Sequence, residues 1–122
     1  MILVDTSVWI DHFRSQSAKL TDLLEAEVVI IHPFIIGELA CGNLKNREEI
    51  VSLLRALPLM TKADDDEVLL FIDRHRLMGR GLGLIDVHLL ASCLIDGCRL
   101  WTNDHPLKSA AAELNIDGSL LP

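Results

Sequence analysis

Two short stretches constrain this chain most: Ile2 to Val4, and "EVVII" from Glu27 to Ile31. Each is an aliphatic run without polar alternation and is too short for a helix, so each reads as a strand buried on both faces. Strands of that kind belong to parallel sheets, which need helical crossovers. Ala18, Leu20, Leu23, Leu24 and Ala26 supply a helical period over Gln16 to Ala26, after a helical turn from about Ser7 to Arg14. The alternation then continues. Pro33 opens a helix to about Cys41, stopped by Gly42 and Asn43; another runs from about Asn46 to Leu57, ahead of Pro58. "LMTKA", Leu59 to Ala63, is the expected third strand, followed by a helix from about Asp65 to Met78 with an acidic first turn. After the "GRGLG" loop come a helix over Ile85 to Asp96 closed by Gly97, a strand over Arg99 to Thr102, a helix over Pro106 to Leu114 and a short strand near Ile116. The predicted fold is α/β: one three-layer domain over residues 1–122, with a mostly parallel central sheet flanked by helices.

Half of the 122 residues are hydrophobic and only 4% are aromatic, which excludes a disordered chain and implies an aliphatic core that needs no disulfide framework. The opening lacks a basic signal-peptide region, and Asp5 breaks its apolar run early. The apolar stretch from Val28 to Ala40 is interrupted by His32, Pro33, Gly37 and Glu38, so neither stretch spans a bilayer. Cys41, Cys93 and Cys98 are odd in number and show no CxxC spacing, as expected of buried thiols in a reducing compartment; the expected location is the cytoplasm. The net charge of −7 argues against a nucleic-acid partner when taken alone. Clustered carboxylates that hold divalent cations reverse the local field a phosphate meets, so net charge does not decide the matter.

Four carboxylates stand in unusual places. Asp5 follows the first strand directly, and Asp104 in "TNDHP" lies just past the strand "RLWT"; ligands of open α/β sheets gather at such carboxyl ends. Glu38 shares a helical face with Phe34, Ile35 and Cys41, which is expected to be the buried one. Asp86 heads the stripe Leu89, Leu90, Cys93 and Leu94 in its helix. Each has an ordinary explanation. Asp5 can cap the next helix, Glu38 can reach solvent from a helix edge, Asp86 can complement a helix dipole, and Asn and Asp are common in turns such as that of Asp104. If Pro106 is the first helical residue, His105 is the cap and Asp104 is free. Convergence of all four on one sheet edge would cost stability through repulsion unless a hard cation accepted their oxygens. Oxygen-only ligation favours Mg²⁺ or Mn²⁺ over zinc, for which no Cys and His grouping is present.

These segments together resemble the PIN-domain ribonucleases and, within them, the VapC-type toxins of bacterial toxin-antitoxin pairs. The likeness rests on "MILVDTSVWID", "IIGELACG", "LIDVHLLASCLIDG" and "LWTNDHPLK", in that order, and covers essentially the whole chain. It implies a PIN-like fold and a metal-dependent endoribonuclease that hydrolyses RNA phosphodiester bonds through metal-activated water. Asp5, Glu38, Asp86 and Asp104 match the acidic quartet that binds Mg²⁺ or Mn²⁺ and carries catalysis, and Thr6 or Ser7 matches a supporting hydroxyl. It also implies a homodimer restrained by a small cognate antitoxin protein.

Arg74, His75, Arg76 and Arg80 form a local basic cluster, and Arg74, Arg76 and Arg80 are expected to contact RNA phosphates, with a solvated helix face as the competing reading. His88 is expected to be a satisfied helix histidine, with contact to substrate as the alternative. Asp11 and Asp96 are expected at the surface. A magnesium-binding signalling receiver fits less well, since it wants paired acids after the first strand where Thr6 and Ser7 stand; a phosphatase with an Asp-x-Asp motif fails at Ser7. A PIN-fold binding module without catalysis would not need all four acids.

Overall fold

A computed structural model describes residues 1–119. Strand β1 (Ile2–Val4) lies between β2 (Val29–Ile30) and β3 (Arg99–Trp101), parallel to both, with Leu3 level with Ile30 on one side and Leu100 on the other. Ile2, Leu3 and Val4 are all buried. Successive strand residues point to opposite faces, so the sheet must be covered on both sides and forms the middle of three layers. The covering comes from α1 (Thr6–Ser15), α2 (Ala18–Glu25), α3 (Pro33–Cys41), α4 (Arg47–Arg55), α5 (Asp65–His75), α6 (Leu84–Asp96) and α7 (His105–Glu113). None of these helices is long and apolar enough to cross a membrane.

Several boundaries differ from the sequence reading. The turn expected after β1 is a ten-residue helix, broken where Gln16 takes a positive φ of 35° and Ser17 caps α2 through Leu20 N–H at 3.2 Å. Glu27 sits at φ 58°, so "EVVII" narrows to a two-residue strand after a left-handed turn. The expected strand "LMTKA" is reduced to one parallel bridge, Leu59 to Ile31, because Thr61 N–H turns instead to the Asp96 carboxylate at 2.8 Å. A similar bridge joins Asp117 to Leu100 where a strand near Ile116 was expected. Helix α5 stops at His75 rather than Met78, since Arg76 is left-handed at φ 53°. Gly97 does close α6, at the φ of 68° that favours glycine. Cys93 and Cys98 are buried, and burial pushes both thiols up, but Cys41 is exposed at the end of α3.

The entry to α3 is fixed by His32, which is fully buried at the carboxyl end of β2. Its Nδ1 accepts from Phe34 N–H at 3.0 Å, capping the helix that Pro33 begins. A neutral imidazole carries one proton, so it resides on Nε2 and is donated to Ser92 Oγ on α6 at 3.2 Å. Burial, reinforced by His88 and Lys62 and opposed by Asp96, lowers the His32 pKa from 6.5 to about 4. The folded state thus favours neutral His32. As pH falls the unfolded chain takes up the proton first, and stability is lost between about pH 6.5 and 4. The loss from this group is on the order of 3 kcal/mol by the end of that window. Urea unfolding of wild type and His32→Asn at pH 7 and 4.5 should show a markedly smaller acid loss in the variant, whose cap cannot be protonated.

Candidate active site

The parallel register brings two chain ends together. Asp5 continues the pairing of β1 by donating its N–H to Trp101 O at 2.9 Å, and Thr102 follows directly on the end of β3. Thr102 is buried and donates to Asp5 Oδ2 at 2.7 Å, while its own Oγ1 accepts from Asp104 N–H at 3.0 Å. Ser7 adds a second bond to Asp5 Oδ2 at 3.0 Å and accepts from Asn103 N–H at 3.1 Å. Asp5 occupies the N-cap position of α1, yet its carboxylate makes no capping bond. The ordinary helix-capping explanation therefore fails for this residue.

Asp86 reaches the same edge from the first turn of α6, where its Oδ2 accepts from Gly83 N–H at 3.0 Å. Desolvation raises its pKa, and the charges of Asp5 and Asp104 raise it further, against the lowering by the Gly83 bond. The three aspartates thus feel one another although they lie far apart in sequence. Glu38 comes from α3, and its Oε1 accepts from Thr6 Oγ1 at 2.8 Å. Thr6 serves Glu38, then, while Ser7 serves Asp5.

Two expectations are corrected. Glu38 is exposed, because Ile35 and Leu39 define the buried side of α3 and Glu38 falls at the rim between helix and solvent. Asp104 is not left free by a His105 cap: it caps α7 itself, accepting from Leu107 N–H at 3.2 Å, with His105 as the first helical residue. Proline tolerates the second helical position as it does the first, since neither N–H has an intrahelical partner.

A common pattern runs through the four acids. Each has one carboxylate oxygen held by a donor, namely Thr102 and Ser7, Thr6, Gly83 N–H or Leu107 N–H. The other oxygen of each accepts no hydrogen bond among the described residues. The donor set is all oxygen, as a hard cation prefers. Among the described residues, no three His, Cys, Asp or Glu side chains stand close enough together to hold a metal ion already. The free oxygens would have to close in by side-chain rotation.

The other candidates make no hydrogen bond to the four acids among the described residues. Arg80 is paired with Glu113 on α7 at 2.7 Å, whereas Arg74 and Arg76 are exposed at the end of α5, so the basic cluster does not converge as a set. His88 is buried with its ring edge-on to Phe34 at 4.8 Å, and its Nδ1 has no hydrogen-bond partner, so it is a core residue without the satisfied contacts expected of it. Asp11 and Asp96 are exposed and accept from Asn103 and Thr61. Sequence reasoning overlooked Thr102. The signal was available as a hydroxyl at the end of "LWT", placed beside Asp5 once the two strands pair in parallel.

The model of the PIN domain family matches residues 2–113. The chain belongs to the PIN-domain family. Ribonuclease VapC32 of Mycobacterium tuberculosis is 48% identical over 117 residues, covering 95% of this chain and 94% of that protein. The fold of this PIN domain is also similar to two solved structures. FitAcB from Neisseria gonorrhoeae superposes with a TM-score of 0.64 at 18% identity, over 92% of this chain and 94% of that one. PAE2754 from Pyrobaculum aerophilum does so with a TM-score of 0.62 at 18% identity, over 89% and 83%.

Electrostatic coupling across the PIN-domain site can be measured directly. Asn also caps helices, so Asp104→Asn should leave α7 intact while removing one negative charge. The Asp86 pKa should fall in that variant, read by NMR titration of its side-chain carboxyl carbon without added metal. An unchanged value would mean that the two carboxylates do not share a site.

Proposed function

We propose that this chain is a metal-dependent endoribonuclease, the toxin of a toxin-antitoxin pair, which hydrolyses RNA phosphodiester bonds at the carboxyl edge of its sheet. The observation that carries the reading is the half-held state of all four acids: one oxygen fixed by a donor, the other free. For Asp86 and Asp104 the held oxygen makes a helix-cap contact, whereas Asp5 and Glu38 are held by side-chain hydroxyls and cap nothing, so capping does not account for the set at this edge. The 48% identity to a protein named Ribonuclease VapC32 supports the choice of RNA as substrate.

Asp5, Asp86 and Asp104 would supply oxygen ligands to Mg²⁺ or Mn²⁺, and Glu38 a further ligand or an acceptor that orients water. Such a cation supplies hydroxide near neutral pH and offsets the charge that develops on a phosphodiester during its cleavage. The chain's own part is to anchor one oxygen of each ligand and leave the other free to turn to a cation. Thr102 and Ser7 anchor Oδ2 of Asp5, and Thr6 anchors Oε1 of Glu38. No serine or histidine nucleophile is required. Arg74 and Arg76 remain the side chains proposed to meet RNA phosphates, with Arg80 engaged by Glu113. A small antitoxin and a second copy of the chain are the protein partners proposed, and the cytoplasm is the proposed location.

Asp5→Asn should reduce Mn²⁺-dependent cleavage of total RNA below detection while keeping the wild-type circular dichroism spectrum; retained cleavage would refute the assignment. Thr102→Val should lower activity by roughly 10- to 100-fold, as loss of an outer-shell partner does. Mn²⁺ at 100 times its dissociation constant should stabilise the wild type by about 2.7 kcal/mol in urea melts and stabilise Asp5→Asn far less.

A further inference from the structure

Two of the four acids are carried by helices that meet well inside the protein. His32, at the head of α3, donates from Nε2 to Ser92 Oγ on α6 at 3.2 Å, and both side chains are fully buried. Two residues on in α3 and about one turn back in α6, Phe34 meets His88 with ring centroids 4.8 Å apart. Beyond these contacts Glu38 on α3 accepts from Thr6, the residue after Asp5, and Asp86 on α6 feels the charge of Asp5, so both helices lead from the tie to the edge where Asp5 stands. Glu38 follows His32 by six residues, and Asp86 precedes Ser92 by six. Both acids therefore lie beyond the same end of the contact, each about 9 Å along its helix axis.

We infer that the buried His32–Ser92 hydrogen bond positions Glu38 and Asp86 relative to one another, making His32 and Ser92 positioning residues for cation binding. The lever gives a reason for a polar tie between two helices whose neighbours in the core are mostly apolar. A rotation of about 6° between the helices at the tie moves a carboxylate by about 1 Å over that 9 Å arm. Displacements of this size matter for a ligand set that must converge on one ion. Apolar packing is tolerant of small rotations, whereas a hydrogen bond between two buried groups has one length and one direction and leaves a desolvated N–H if broken. The imidazole is also committed on its other side: Nδ1 caps α3 through Phe34 N–H at 3.0 Å. One ring thereby sets where α3 begins and how it sits on α6.

The inference rests on the four acids being cation ligands, and the experiment separates the two claims. Mn²⁺ affinity is measured by calorimetry without RNA for wild type, Ser92→Ala, His32→Asn and Leu20→Ala. His32→Asn keeps a cap acceptor but cannot span the distance to Ser92. Leu20→Ala truncates the core on α2, which carries none of the acids, and serves as the control for lost stability. Ser92→Ala and His32→Asn should each weaken Mn²⁺ by roughly 10-fold, the lower end of what outer-shell residues contribute. Leu20→Ala should lower the melting temperature and leave Mn²⁺ affinity at the wild-type value. Unchanged affinity in Ser92→Ala, or equal weakening in Leu20→Ala, would overturn the positioning role while leaving the site assignment standing. Should His32→Asn not fold, Ser92→Ala decides alone. No Mn²⁺ binding by the wild type would overturn the site assignment and the positioning role together.

Discussion

The hydrogen bond from Thr102 to Asp5 joins the ends of two adjacent parallel strands in a buried setting, at 2.7 Å. The rest of the site is arranged around it. Thr102 also accepts from Asp104 N–H, so the same hydroxyl orients the turn that delivers the second strand-end acid. Ser7 performs the matching task from the other side, donating to Asp5 and accepting from Asn103 N–H. Two hydroxyls thus couple the two strand exits, and each is used as both donor and acceptor. Hydroxyls suit this work because they can do both at once without adding charge to an edge already crowded with it.

The crowding has a measurable sign. Asp86 is pushed toward its neutral form by burial and by the charges of Asp5 and Asp104. Gathering like charges in this way costs folding stability, a cost that a bound cation would offset. The opposite end of the electrostatic problem is His32, whose burial favours the neutral ring. Its neutrality preserves both of its hydrogen bonds, since protonating Nδ1 would destroy the cap on α3.

The strand reading of Ile2 to Val4 and the helices that carry Glu38 and Asp86 were legible because continuous apolar runs and helical periods are local patterns. So were the four acids, since each interrupts or heads a local pattern. The misreadings have a shared origin. "LMTKA" is apolar enough for a strand, but Thr61 N–H finds the Asp96 carboxylate, which no local pattern announces. Glu38 was expected on the buried face because Phe34, Ile35 and Cys41 share it; Cys41 is exposed, and the buried side is set by Ile35 and Leu39. Asp104 was released from capping by a rule about Pro106, whereas the helix starts one residue earlier with Asp104 as its cap.

Residue order alone determined the alternation of strand and helix, the parallel character of the sheet and the identities of the acids, since all three follow from side-chain pattern and covalent neighbours. Which oxygen of each acid is held, which hydroxyl holds it, and that a histidine and a serine sixty residues apart meet in the core were decided only in three dimensions. Hydrogen bonds between distant residues depend on how whole elements pack. Packing is a property of the assembled layers, and no short stretch of the chain contains it.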